Sequence, residues 1–384
     1  MFTKEDFEDI RPYNDNEINP ALKRILAEPV FNKILEFIFP HEDRDQIAET
    51  LSKVDTSIDF QKKFMHPLVY SLIKKTSDGL THDGFEQLNP ATPYLFVANH
   101  RDIVLDSAIL QALLLDNGHM TSEITFGSNL MINQFVIDLG RVNRMFKVER
   151  GGNKIELIKN SQKLSAYIRY TITEKKNSVW IAQRPGRTKN GSDKTEAGLL
   201  KMFNMSSQGS FTDSFQELNI VPLVISYEYE PCCAYKINES MIKSQNGTYQ
   251  KKPGEDFQSI VSGLTQPKGR IHLSIGKPIN PLLARFNEED SKNDRICRLA
   301  EMIDFEIYKH YKLWPVNYIA FDKLNDSNEF AEFYSPDIKE QFLKYMEIEI
   351  KGIEGDRKAI EKIFLEIYAN PLNNYKKNIL RLDT

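Results

Sequence analysis

Cysteine is scarce in this sequence. Only three occur in 384 residues, Cys232 beside Cys233 and Cys297 far from both, which excludes a disulfide framework and a paired C-x-x-C zinc site and points to a reducing compartment. Positive charge is not in excess: 50 Lys and Arg stand against 54 Asp and Glu, a formal net charge of −4. A dedicated nucleic-acid binder resting on a basic field is therefore not expected. Long hydrophobic runs are missing too. The longest, Leu105 to Leu115, is interrupted by Asp106 and Gln111 and falls well short of the roughly 20 residues that span a bilayer. The opening Met1-Phe2-Thr3-Lys4-Glu5-Asp6 turns acidic at once, so no secretory signal is expected. There is no H-E-x-x-H pair, cysteine–histidine cluster, G-x-S-x-G elbow or G-x-x-x-x-G-K-[ST] loop. A catalytic metal, a nucleophile-elbow hydrolase and a phosphate-loop nucleotidase lose their usual anchors.

What is present is the material of a large core: 41% apolar residues, with 23 Phe and 16 Tyr, against 27% charged. Residues 1–85 read as a helical region, with helices over Pro20 to Ala27, Phe31 to Phe39 and Phe60 to Lys75. In the last, Phe60, Phe64, Leu68 and Leu72 recur every four positions beside Lys62, Lys63, Lys74 and Lys75. Such a face suits a membrane surface or, the preferred reading, packing on the next unit. Residues 86–283 alternate short β-rich runs with helices, the texture of an α/β layer fold. Strands are expected over Pro93 to Ala98, Ile124 to Phe126, Phe146 to Val148, Ser178 to Ala182, Ile220 to Tyr229 and Arg270 to Ile275. Helices are expected over Ile103 to Leu115, Asn153 to Thr173 and Glu196 to Met205, and a surface loop over Ser244 to Gly254. Residues 284–384 return to helix: Asn293 to Leu313, Pro336 to Ile350 after a Ser335 cap, and Gly355 to Ala369.

The densest chemical signal is Phe96-Val97-Ala98-Asn99-His100-Arg101-Asp102-Ile103-Val104-Leu105-Asp106-Ser107. An apolar strand ends, and a His, an Arg and two acids follow before an apolar helix. In α/β sheets ligands gather at such strand ends. A His there supplies a base near neutral pH, and a carboxylate in the first helical turn can fix its tautomer and stabilise the cation formed on proton abstraction.

This segment resembles the first motif, N-H-x4-D, of the glycerolipid acyltransferases, the 1-acylglycerol-3-phosphate and glycerol-3-phosphate acyltransferase family. Three later segments resemble the family's further blocks, in order: Gly140 to Gly152 with Arg150, Trp180-Ile181-Ala182-Gln183-Arg184-Pro185-Gly186-Arg187-Thr188, and Ile220-Val221-Pro222-Leu223-Val224. The resemblance covers roughly residues 90 to 230. It implies a mixed α/β sheet flanked by helices, with N- and C-terminal helical additions. It also implies transfer of a fatty acyl group from acyl-CoA or acyl carrier protein to a glycerol-phosphate or lysophosphatidate hydroxyl, with no cofactor beyond the thioester substrate. His100 would be the base and Asp106 its partner. Asn99, Arg101, Arg150, Arg184, Gly186 and Arg187 would bind substrate, with Val221 and Pro222 as an acyl or strand site. A cytoplasmic protein, peripheral on the inner face of a membrane, is the matching location.

Two departures accompany the resemblance. Asp106 lies six positions after His100 where the family has five, and Asp102 lies two after. Asp106 is the favoured partner because the turn can absorb one residue, and Asp102 then reads as a helix N-cap. Pro185 stands where the third block has Glu, which removes a hydrogen-bond acceptor and a backbone donor. A lipid acceptor without phosphate, or a catalytically silent lipid-binding scaffold, stays open on that account.

Overall fold

A computed structural model describes residues 2–287 and 289–380. Seven strands form one sheet: β1 (Leu80–Asp83), β2 (Leu95–Ala98), β3 (Glu123–Gly127), β4 (Met145–Val148), β5 (Val179–Ala182), β6 (Ile220–Tyr227) and β7 (Ile271–Ile275), in the spatial order β1-β7-β6-β2-β5-β3-β4. The five strands from β6 to β4 are mutually parallel, whereas β7 runs antiparallel to β6 and pairs in parallel with β1. The fold is a mixed α/β sheet with helices on both faces and helical additions at either end, as the sequence suggests.

The central strands are unbroken apolar runs because both faces are covered. Along β2, Phe96 and Ala98 face one apolar cluster and Leu95 and Val97 the other. The first cluster is completed by the N-terminal helices and by helix Leu105–Asp116, the second by helices Lys154–Thr173, Ala197–Phe203 and Lys292–Lys309. A third cluster joins helix Cys233–Asn246 to the C-terminal helices Pro315–Leu324, Pro336–Ile350 and Arg357–Leu380. Ser335 caps its helix through Ile338 N at 3.3 Å, with Pro336 in the first turn.

The region from Phe60 to Lys75 packs rather than lying on a surface. Its Phe60, Phe64 and Leu72 are buried in the first cluster, and a π-helical turn over Gln61–Met65 separates Ser57–Phe60 from His66–Thr76. Pro67, which cannot donate to the preceding turn, sits just past that irregular stretch. Several elements extend or add to those expected. Helix Asp15–Ala27 starts before Pro20, and the last helix runs through Pro371. Helix Cys233–Asn246 takes in the first part of the expected 244–254 loop, ending at Gly247 with φ +74°. Strand β1 and helices Arg44–Ser52, Gln134–Val142, Glu255–Thr265 and Pro315–Leu324 lie outside the elements expected from periodicity. Pro222 fits within β6 because its carbonyl accepts from Gly276 N at 2.8 Å. Its missing N–H falls on that same side, past the last β6–β7 pair at Leu223 and Ile275. Among the described residues no helix is long and apolar enough to cross a membrane.

Candidate active site

The chain leaves β2 at Ala98 and turns through residues 99–104 into helix Leu105–Asp116. Asp106, in the first helical turn and fully buried, organises that turn. Its Oδ2 accepts from His100 Nδ1 at 2.9 Å, Arg101 N at 2.6 Å and Asp102 N at 2.9 Å, and its Oδ1 accepts from the Tyr227 hydroxyl at 2.9 Å. Four donors thus converge on one carboxylate at a helix N-terminus. Nδ1 of His100 carries the proton in this arrangement, which leaves the Nε2 lone pair free. Nε2 has no hydrogen-bond partner among the described residues.

Asp102 occupies a different role. Its Oδ1 caps Val104 N and Leu105 N, each at 2.8 Å, while Oδ2 is buried without a partner against Gly263, where a Cβ would come within 2.0 Å. Burial, reinforced by neighbouring Asp106, holds the Asp102 carboxyl above the usual range.

His100 opens onto a cavity of about 450 Å³ at the C-terminal ends of β2, β3, β4 and β5. Its ring meets Trp180 edge to face, with centroids 5.9 Å apart. Much of the lining is apolar: Ile103, Val104, Ile124, Phe126, Leu130, Met145, Val148, Trp180 and Ala182. Its charged members are mostly cationic, with Arg150, Arg184, Arg187, Lys189, Lys243 and Lys251 against only two carboxylates, Glu239 and Asp256. Glu239 pairs with Lys189 and Lys243, each at 2.7 Å, and Asp256 with Lys251 at 2.5 Å. The three arginines have no carboxylate partner within 4 Å among the described residues, and Nη1 of Arg187 is buried with no hydrogen bond.

Gly186, at φ +76°, lets the chain reverse between Arg184 and Arg187 so that both reach the cavity. The turn is tied to the His100 loop by Thr188 N donating to His100 O at 2.9 Å. Burial, then neighbouring Arg187, brings the Lys189 ammonium down to about 8.

His100, Arg150, Arg184, Gly186 and Arg187 thus share one cavity, and Asp106 stands directly behind His100. Asn99 and Arg101 do not line it. The Asn99 amide splices the end of β2 to Ile225, with N–H to Oδ1 at 2.8 Å and Nδ2 to O at 3.1 Å. Arg101 is buried between Asp193 and Glu230, and Lys236 Nζ binds both Glu230 and the Arg101 carbonyl, at 2.5 and 2.7 Å. These side chains pair with one another, although Arg101 Nε and Asp193 Oδ1 stay buried without a hydrogen bond, and they position the loop from behind. Val221 and Pro222 do not reach the cavity either: β6 is central, and Val221 faces the buried apolar cluster. The apolar lining comes instead from β3, β4 and β5 together with Ile103, Val104 and Leu130. Glu239, Lys243, Asp256 and Ile260, from two helices beyond the fourth motif block, close the cavity, and no spacing in the sequence links them to His100. Tyr227 was legible only as one more member of the β6 face shared by Val221, Leu223 and Ile225.

Neither family models nor curated protein sequences match the chain. Among solved structures it is similar to the crystal structure of the 1-acyl-sn-glycerophosphate (LPA) acyltransferase PlsC from Thermotoga maritima, at 13% sequence identity, covering 74% of this chain and 92% of that chain with a TM-score of 0.36. A likeness this distant carries no argument about chemistry, which rests on the cavity itself.

Proposed function

We propose that the protein is an O-acyltransferase that moves a fatty acyl group from an acyl thioester, acyl-CoA or acyl carrier protein, to a hydroxyl of a glycerol-phosphate or lysophosphatidate acceptor. The observation that carries this reading is a histidine, held by Asp106 through Nδ1, on a cavity lined by apolar and by cationic side chains. His100 takes the proton from the acceptor hydroxyl as its oxygen attacks the thioester carbonyl. Asp106 stabilises the imidazolium, which returns the proton to the departing thiolate. The C–O bond forms and the C–S bond breaks without an acyl-enzyme.

The apolar lining suits an acyl chain. The arginines suit a phosphate, since a guanidinium offers a planar two-donor fork. Their lack of carboxylate partners favours the phosphate-bearing acceptor over one without phosphate. The test incubates the protein with a long-chain acyl-CoA, and in parallel with acyl carrier protein carrying the same chain, and offers glycerol 3-phosphate, lysophosphatidate and a hydroxylated lipid lacking phosphate. Mass spectrometry should show acylation of a phosphate-bearing acceptor. Acylation confined to the lipid without phosphate would overturn the acceptor assignment.

A further inference from the structure

The turn that carries His100 is gripped at both ends of the next residue. Arg101 N donates to Asp106 Oδ2 at 2.6 Å, and the Arg101 carbonyl accepts from Lys236 Nζ at 2.7 Å. The second grip comes from far along the chain, on helix Cys233–Asn246, and Lys236 is fully buried there. A lysine is almost never buried to that extent without a paired charge. Here the pair is Glu230, whose Oε1 lies 2.5 Å from Lys236 Nζ and whose Oε2 lies 3.0 Å from Arg101 Nη1. Arg101 pairs with Asp193 as well. Two cations and two carboxylates are thus buried together behind the turn, where apolar side chains of similar volume would carry less desolvation cost. What the charges add is direction, since a charge-assisted hydrogen bond fixes the carbonyl it holds in angle as well as distance. The four charges are anchored in turn to the C-terminal helices. Tyr368, on helix Arg357–Leu380, donates to Glu230 N at 3.0 Å, and Tyr311, just past helix Lys292–Lys309, donates to Asp193 Oδ2 at 2.9 Å. Gly191 brings the Asp193 segment so close to the last helix that a Cβ would stand 2.2 Å from the Ile367 carbonyl oxygen.

We propose that Lys236 is a positioning residue for His100: through the Arg101 carbonyl it fixes the turn, and through Glu230 it ties that turn to the C-terminal helices. Neither Lys236 nor Glu230 lines the cavity, so both act through the turn and not on substrate. Glu239, three residues after Lys236 on the same helix, does line it, so one helix both grips the turn and closes the cavity. Residues 284–384 accordingly belong to the framework of the active site and are not an appendage to it. The inference rests on the acyltransferase reading only for the step that His100 then performs.

The test is hydrogen–deuterium exchange of the full chain read by mass spectrometry, with steady-state kinetics alongside. In Lys236→Met the Arg101 carbonyl loses its donor. The amides of the turn, among them Arg101 and Asp102 bonded to Asp106, should then exchange about tenfold faster or more, while strand β2 stays protected. Turnover should fall about tenfold or more, with the Michaelis constant for the acceptor within about threefold of wild type, because the cavity arginines are untouched. Tyr368→Phe removes only the hydroxyl that donates to Glu230 N. It should move exchange and turnover in the same direction by a smaller factor, and it carries the test if Lys236→Met does not fold. Asp322→Asn is the control for lost stability alone. Asp322 is also buried in the C-terminal region, where it accepts from Phe330 N at 3.1 Å and the Tyr334 hydroxyl at 2.8 Å, away from these residues. It should leave the turn and turnover as they are. Exchange that rises throughout the core, or an equal effect from Asp322→Asn, overturns the proposal. A turn loosened by Lys236→Met in a protein that acylates no acceptor upholds the positioning and defeats the acyltransferase reading alone. Acylation by the wild type, with exchange and turnover unmoved in both Lys236→Met and Tyr368→Phe, defeats the positioning alone.

Discussion

The hydroxyl of Tyr227, at the end of β6, and Nδ1 of His100, just past β2, each lie 2.9 Å from the carboxylate of Asp106, on opposite oxygens. The tyrosine therefore fixes the acid that fixes the histidine. Burial, then the adjacent Asp106 charge, keeps the Tyr227 phenol protonated far above neutral pH, so it remains a donor. Tyr227→Phe is expected to leave Oδ1 of a buried carboxylate without its partner. The cost is on the order of 1–3 kcal/mol of stability, read by urea denaturation, with a fall in turnover under conditions where the variant is fully folded. Unchanged stability and turnover would contradict the arrangement.

The two acids of the turn should behave differently. Asp106→Asn retains an acceptor for the backbone N–H groups but removes the charge that stabilises the imidazolium, so turnover should fall by roughly 10²–10⁴-fold. Asp102→Asn keeps the cap oxygen and should cost about 1 kcal/mol or less, with turnover within a few-fold of wild type. Steady-state kinetics and thermal melts of the pair decide it, and the reverse ranking would remove Asp106 from its assigned place.

How far the sequence carried this assignment depended on whether a residue's neighbours in space were also its neighbours in the chain. The His100–Asp106 turn was legible because strand, turn and helix are contiguous, and the helix's first-turn carboxylate can only reach back over the residues just before it. Arg101 misled for the opposite reason. Next to a histidine it reads as a ligand, but Asp193 and Glu230, which bury it, come from about ninety and one hundred and thirty residues away. Strand β1 was illegible because Leu80-Thr81-His82-Asp83 has one apolar residue; it is held by backbone pairing to β7 at the sheet's edge rather than by an apolar face. The far wall of the cavity, Glu239 to Ile260, depends wholly on how two helices dock.

Lys189 gives the cavity a pH dependence. Its folded value, about 8, lies below the ordinary 10.5 because its charge is buried. As pH rises through 8 the lysine loses its proton, and the cavity loses one positive charge. The Michaelis constant for a phosphate-bearing acceptor is expected to rise above about pH 8, and Lys189→Gln should flatten that limb. An identical limb in the variant would assign the titration elsewhere. The linkage to stability has the opposite sense: between about 8 and 10.5 the unfolded chain binds more protons than the folded one, so this group's penalty is relieved as pH rises.

Asp304 supplies a test remote from the chemistry. Burial pushes its carboxyl up to about 6 from 3.8, although Thr195 N donates to it at 2.8 Å. A raised carboxyl favours the folded state below about 3.8 relative to its effect at higher pH, and that advantage is lost as pH rises to about 6. Asp304→Asn keeps the acceptor for Thr195 and removes the charge. It should raise the melting temperature at pH 7.5 relative to wild type, with the difference shrinking toward pH 4. A stabilisation independent of pH would show that the charge is not the cause.

The central claim, that His100 is the base of an acyl transfer, is tested most directly by mass spectrometry of products from wild type and His100→Ala, given the same acyl thioesters and phosphate-bearing acceptors, with lipid binding measured in parallel. An acylated acceptor from the wild type, its loss in the variant, and lipid binding largely kept in both are the expected results. Product formed equally by both proteins, or lipid binding without product from either donor in the wild type, would contradict it.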